Sequence, residues 1–399
     1  MDRQDPKRPS TQEASISEAI SDDYSRTRRA FLGATGLGLA TALAGCSGDA
    51  DTGETTTESG TSDGTTTSEE LPEITYRGRF DRVGLAPAVN DAGVETGTWE
   101  EEGLDVSYET SSGGQAAAKS VASGKDEFGN ADVAAVLSLM EQDAPLTIIG
   151  NIAGPMDGIV SLEETDITEW SDLEGKTIGM YPFGSTGPAA KAAMRRKDVD
   201  IDPDQFQNIQ PGNGQKYLLD GTLDAVIRYF PQMETRLEAE GESVNVLKTV
   251  DVLDHLGIML YAHDDVIENN PERVDAFVRG WLKAFQIWAT DVDRVIELYE
   301  PLAVGEFDVE LERKTLPALY ASQAPSRDVG EEYGKGWIET EDMQRTIEAF
   351  GETEMLSGDL EADSVFTMEF IEGNRDLAVE TAEALYGALE PYDVGPDYL

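Results

Sequence analysis

Two stretches with the same order of elements constrain this chain more than any other feature. In GGQAAAKSVASGKDEFGNADVAAVL, residues 113–137, paired glycines open a helix over 115–123, and Gly124 stands where a left-handed residue would end it. A short apolar strand over 127–131 follows, and Asp132 takes the N-cap position before a second apolar helix, 133–140. The order recurs. Gly212-Asn213-Gly214 opens a helix over 215–219, Gly221 stops it, 223–229 reads as an apolar strand, and Phe230-Pro231 leads into a helix over 232–239. Residue identity between the two is low, so this is an architectural echo and not a sequence repeat. Helix N-termini placed at strand ends expose N–H groups that can hold polar or anionic atoms of a small ligand. An ordinary α/β crossover would use the same glycines for turns alone.

The strands and helices alternate along residues 73–254, which argues for mostly parallel sheets. Two α/β lobes, each with its own copy of the unit, place one site in the cleft between them. The expected organisation has lobe one in 73–164 and 255–399, the second part mostly helical, and lobe two in 165–254. The chain then crosses twice, near 164–170 and near 250–255, and two crossings make a hinge. The stripe Val274, Phe277, Val278, Trp281, Leu282, Phe285, Trp288 has helical spacing and reads as core.

The charge of −49 over 399 residues leaves no basic stripe to neutralise phosphates, so nucleic acid is not an expected partner. Acidity spread over the whole chain fits a surface adapted to very high salt, where the Debye length falls to roughly 3 Å at 1 M. The one cysteine and two histidines, His255 and His263, argue against a disulfide, a metal centre or a cofactor built on them. Nothing calls for an oligomer, and a monomer is expected.

The N-terminal region has its own logic. Arg28 and Arg29 precede the apolar run GATGLGLATALAG and Cys46. That run is about 15 residues, short of the ~20 that span a bilayer as a helix. Paired arginines, a short apolar region and small residues form the layout of an export signal. The pattern resembles a twin-arginine signal, and Leu43-Ala44-Gly45-Cys46 resembles a lipobox. The resemblance implies a signal over 1–45, cleavage before Cys46 and a lipid on that cysteine. The signal carries as many acidic as basic residues, so the mature chain keeps its charge. Residues 46–72 are rich in Thr, Ser, Gly and acids and read as a flexible tether, roughly 25–30 Å end to end.

Taken together, GLDVSYETSSGGQAAAKSVASGKDEFGNADVAAVL, TEWSDLEGKTIGM, the FGSTG before a helix and DGTLDAV resemble the solute-binding proteins of ABC importers. More narrowly, they resemble the group that binds thiamine-precursor pyrimidines, aliphatic sulfonates and nitrate. The resemblance implies the two-lobed α/β periplasmic-binding-protein type 2 fold, no enzymatic activity, and capture of a small-molecule solute on the outer face of the membrane for an ABC permease and its ATPase. Carried over residue by residue, it implies ligand contacts from Pro87 in the loop after the first strand, from Gly113, Gly114 and Gln115, and from Asn130, Ala131 and Asp132. In lobe two it implies Phe183, Gly184, Ser185 and Thr186, with Tyr229 and Phe230 at the end of a strand. No lysine or arginine stands among the candidate lobe-one positions, so an oxyanion there would depend on N–H and hydroxyl groups. Tyr181, Phe183, Tyr229 and Phe230 favour a flat heteroaromatic ring over an inorganic ion. The first loop, RFDRVGLAPAVN, lacks the histidine pattern of the thiamine-precursor branch. Two other readings fit the same cleft: a pyrimidine-forming enzyme like those of thiamine biosynthesis, and a surface ligand sensor.

Overall fold

The computed structural model describes residues 71–181, 186–210, 213–353, 355–357 and 360–392. The export signal, Cys46 and the tether up to residue 70 lie outside the described residues.

Two five-stranded sheets carry the fold. The first holds β1 (Glu73–Arg77), β2 (Asp105–Glu109), β3 (Phe128–Asp132), β4 (Leu146–Ala153) and β10 (Ile258–His263), in the order β2-β1-β3-β10-β4. The second holds β5 (Asp157–Leu162), β6 (Ile178–Met180), β7 (Phe206–Asn208), β8 (Ala225–Tyr229) and β9 (Val244–Lys248), in the order β7-β6-β8-β5-β9. The pairings match strand for strand. β1 is parallel to β2 and β3, and β10 is antiparallel to β3 and β4. Likewise β6 is parallel to β7 and β8, and β5 is antiparallel to β8 and β9.

The antiparallel strand in each sheet is the one that follows a crossing. Strands that run towards the seam between the lobes end there. A chain that has just crossed the seam must run away from it. This locates the crossings at 154–156, between β4 and β5, and at 249–257, between β9 and β10. The first differs from the expected 164–170. β5 follows β4 after three residues and is buried throughout, so nothing in its own composition separates it from lobe one. The Gly154-Pro155 pair is the turn signal that marks the change.

Helices α1 (Ala88–Thr96), α2 (Gly114–Ala122) and α3 (Val133–Met140) belong to the first lobe, and α4 (Thr186–Arg196), α5 (Gly214–Leu219) and α6 (Phe230–Ala239) to the second. After β10 the chain is helical: α7 (Asp264–Asn269), α8 (Pro271–Thr290), α9 (Val292–Tyr299), α10 (Val309–Arg313), α11 (Leu316–Gln323), α12 (Arg327–Glu332), α13 (Thr340–Gly351), α14 (Glu369–Gly373) and α15 (Arg375–Leu389). The apolar stripe of α8 is buried along its length. Phe277 stacks on Phe128 with centroids 3.8 Å apart, and Trp99 donates to the Phe277 carbonyl at 2.9 Å. Each such side chain contributes about 1.5–3 kcal/mol by leaving water. Among the described residues, no helix is long and apolar enough to cross a membrane.

A buried pair ties the crossings together. Asp157 opens β5 and His255 lies in the second crossing; His255 Nε2 and Asp157 Oδ2 are 3.5 Å apart. Nδ1 faces the Leu256 carbonyl at 2.8 Å, and the ring meets Phe350 edge-on. Burial alone would lower the imidazole pKa, but the Asp157 carboxylate and the Leu256 carbonyl outweigh it and raise it. The stability from this pair is therefore complete below the unfolded value of ~6.5 and is lost as pH rises through the folded value. Raising the pH from about 6 to about 9 at fixed salt is expected to lower the unfolding midpoint of the native chain more than that of His255→Gln. Parallel profiles would contradict this.

Candidate functional site

The two echoed units place their end residues face to face. Asp132 ends β3 and precedes α3; Tyr229 ends β8 and precedes α6. The Tyr229 hydroxyl donates to Asp132 Oδ1 at 2.6 Å, across the seam between the lobes. Asp132 has the extended backbone of an N-cap, yet its side chain makes no capping bond to its own helix. Burial pushes the Tyr229 hydroxyl well above its ordinary pKa, so it is a neutral donor.

The surroundings hold Asp132 in place. Asn130 is buried, donates to the Tyr76 hydroxyl at 2.9 Å and accepts from the Arg79 amide at 3.3 Å. Gly114 is buried against the same turn, where a Cβ would come within 3.3 Å of Ala131 Cβ and Asp132 Oδ2. Gly113 has φ +155 and caps α2, its carbonyl accepting from Ala116 and Ala117. The amides of Gly114 and Gln115 precede these first intrahelical bonds.

The other expected positions are placed as follows. Ala131 is fully enclosed and pairs with Met259, so its side chain belongs to the core. Gln115 is exposed. Pro87 is half-buried at the start of α1, where its carbonyl accepts from Asn90. Thr186 is the half-buried first residue of α4. Phe183, Gly184, Ser185, Arg28, Arg29 and Cys46 lie outside the described residues. Phe230 is buried and packs against Gly158 and Lys248.

Phe230 also lines a cavity of about 650 Å³ at the crossings, within the range of small-molecule sites. One wall comes from lobe one, residues 318–326 and 335–337. The other comes from Phe230, Pro231 and Lys248 of lobe two, and both crossings contribute, through 153–156 and 250–251. Lys335 underlies it. Its ammonium donates to the carbonyls of Asn151, Ile152 and Gln323, with the Phe285 ring 4.9 Å away. Burial pushes its pKa down to about 7.

The seam is fastened elsewhere too. Arg236 of α6 pairs with Glu312 of α10 at 2.9 Å, and Glu312 also accepts from the Leu85 amide at 3.0 Å. Gly84 lies so close to Gln232 that a Cβ would stand 2.1 Å from its Nε2. Arg196 of α4 pairs with Glu352 at 2.6 Å.

One expectation is overturned. The lobe-one side of the seam does hold a cation: the half-buried Arg79 guanidinium lies 5.6 Å from the Tyr229 ring centroid and 5.5 Å from that of Phe80. Read as the end of the first strand, Arg79 is in fact two residues beyond β1. The echo could have exposed it, because Arg79 follows Tyr76 as Tyr181 follows Ile178, and those two residues hold matching registers. Arg228 faces that partner position, donating to the Tyr181 hydroxyl at 2.9 Å and to Gln232 at 3.1 Å. Of the two histidines, only His255 borders this cluster, through Asp157, the register partner of Tyr229. His263 accepts from the Asp265 amide at the start of α7, and His255 lies at the crossing. Among the described residues, no group of His, Cys, Asp and Glu has metal-site geometry.

Residues 92–293, the span holding both echoed units, match the family described as NMT1/THI5 like. The chain belongs to the NMT1/THI5-like family. Within the family's reach lie two curated relatives. One is the riboflavin-binding protein RibY of Chloroflexus aurantiacus, 26% identical over 213 residues, covering 51% of this chain and 58% of that one. The other is the 4-amino-5-hydroxymethyl-2-methylpyrimidine phosphate synthase of Schizosaccharomyces pombe, 25% identical over 199 residues, covering 46% and 56%. The matches thus span little more than half of either relative. The fold is that of periplasmic binding proteins: the periplasmic aliphatic sulphonate binding protein SsuA from Escherichia coli aligns with a TM-score of 0.58 at 16% identity, covering 75% of this chain and 97% of that one.

Proposed function

We propose that this family member is the solute-binding component of an ABC import system, held on the outer face of the cell membrane by a lipid on Cys46. The observation that carries the reading is the meeting of Asp132 and Tyr229, equivalent end residues of two matched lobes, across a seam crossed twice by the chain. A site of this kind binds by drawing two walls together. The solute is a small molecule with a flat ring, of thiamine-precursor, flavin or similar type. Supporting this are the cavity of about 650 Å³ with Phe230 and Trp337 on its walls, the Tyr229 ring at the lobe contact, and the riboflavin-binding relative. A sulfonate is the smaller alternative.

A thermal-shift screen in molar potassium chloride tests this. Riboflavin, an aminopyrimidine, an alkanesulfonate and nitrate would be compared. A ring compound is expected to raise the midpoint by mass action, about 2.7 kcal/mol of stabilisation at a hundredfold excess over Kd. No shift with any of them would count against the reading. Cys46→Ser is expected to move the protein from the membrane fraction to the soluble one, and full retention would overturn the lipid anchor.

The synthase relative supports one other reading, an enzyme acting on a pyrimidine in the same cleft. His263 lies at the start of α7, and His255 is committed to Asp157 and the Leu256 carbonyl, which favours binding over catalysis. Product formation by the purified protein would reverse that preference.

A further inference from the structure

Three features of the seam belong together. The Asp132 carboxylate leaves its own helix uncapped and accepts from the Tyr229 hydroxyl instead. An N-cap carboxylate stabilises its helix when it bonds the helix amides, so this side chain forgoes a local bond for one across the lobes. The Arg79 guanidinium lies against the Tyr229 ring, and among the described residues it makes no hydrogen bond or ion pair. That is unusual in a chain with 79 acidic residues and 30 basic ones. Other arginines at the seam have acceptors: Arg228 has Tyr181 and Gln232, Arg236 has Glu312, and Arg196 has Glu352. Finally, Arg79 and Asp132 both come from lobe one, while the group they hold comes from lobe two.

We propose that Arg79 and Asp132 form a recognition pair for a planar ring bearing an O–H or N–H donor on its edge, and that Tyr229 is its resident occupant when no solute is bound. Arg79 reads the face of the ring and Asp132 reads the donor. A phenol satisfies both requirements, which is why the side chain of lobe two fits. The carboxylate accepts only, so a solute presenting a bare oxyanion at this point is repelled. A solute must displace Tyr229 to reach the pair, and its apparent affinity is the intrinsic one multiplied by the fraction of molecules in which Tyr229 is out. The pair therefore sets both specificity and the resting state of the cleft. The ring face attracts the guanidinium through its quadrupole, and a bond to a carboxylate is stronger than one between neutral groups.

This inference rests on the cleft being the solute site, but its test uses no solute. Tyr229→Phe keeps the ring and removes the donor; Tyr229→Ala empties the place. Both are measured in molar potassium chloride by an inter-lobe distance from paired spin labels, with circular dichroism to confirm the fold. The native chain should show the short distance, Tyr229→Phe a mixture of short and long, and Tyr229→Ala mainly the long one. Adding p-cresol, the tyrosine side chain as a free molecule, should restore the short distance in Tyr229→Ala. Toluene, which lacks the hydroxyl, should not, and Asp132→Asn in the same background should abolish the rescue. The proposal is overturned if Tyr229→Phe matches the native chain, or if toluene closes the lobes as well as p-cresol does. A failure here leaves the thermal-shift result standing, and a negative screen leaves this result standing.

Discussion

Replacing Lys335 by methionine is expected to destabilise the protein by about 3–5 kcal/mol, since buried acceptors left without donors cost about 1–3 kcal/mol each. Methionine keeps much of the apolar stem, so the loss isolates the ammonium. That group is 2% exposed and holds three carbonyls from two parts of lobe one: Asn151 and Ile152 of β4, and Gln323 at the end of α11. The cradle fixes the lobe-one wall of the cavity to the strand that leads into the first crossing. The change should therefore also loosen the hinge. Chemical denaturation in molar salt checks the first effect, and a fall of less than ~1 kcal/mol would show that the carbonyls find other donors.

Glu312→Ala is expected to cost about 3–5 kcal/mol, because removing one partner of a buried pair leaves an uncompensated charge. Glu312 is 2% exposed and serves two masters. It accepts from the Leu85 amide in lobe one and pairs with Arg236 in lobe two. Its loss strands the Arg236 guanidinium, whose Nε is already buried without a partner, and frees the loop before α1. The variant should thus unfold earlier and hold its lobes less firmly. Glu312→Gln, which can still accept from Leu85, should recover part of the stability but less of the inter-lobe contact. If the two variants behaved alike, the ion pair would contribute nothing beyond the amide bond.

Much of this architecture was legible in the chain. The glycines, caps and apolar runs of 113–140 and 212–239 give helix, strand and helix within a residue or two of the observed bounds, because each break is set by local backbone chemistry. The α8 stripe is likewise core, as its 3.6-residue period requires. The first crossing was not legible from periodicity. β5 has the same buried, apolar character whichever sheet it joins, and only the direction of pairing assigns it. At the site, Asp132 and Tyr229 could be named from their places at strand ends, but their contact is a property of two lobes meeting. Arg79 was hidden because strand length cannot be read to the residue. Lys335 and Trp337 of the cavity wall come from the helical C-terminal region, where no motif separates a wall from a surface.

A solute bound at the seam engages both lobes at once. Amide hydrogen exchange in molar potassium chloride, with and without the compound that gives the largest thermal shift, tests it most directly. Solute-dependent protection is expected at 113–115 and 130–132 in lobe one, at Tyr229 and Phe230 in lobe two, and at both crossings, at Gly154 and Met156 and over 249–257. Protection confined to one lobe, or lying away from the seam while the thermal shift persists, would contradict it.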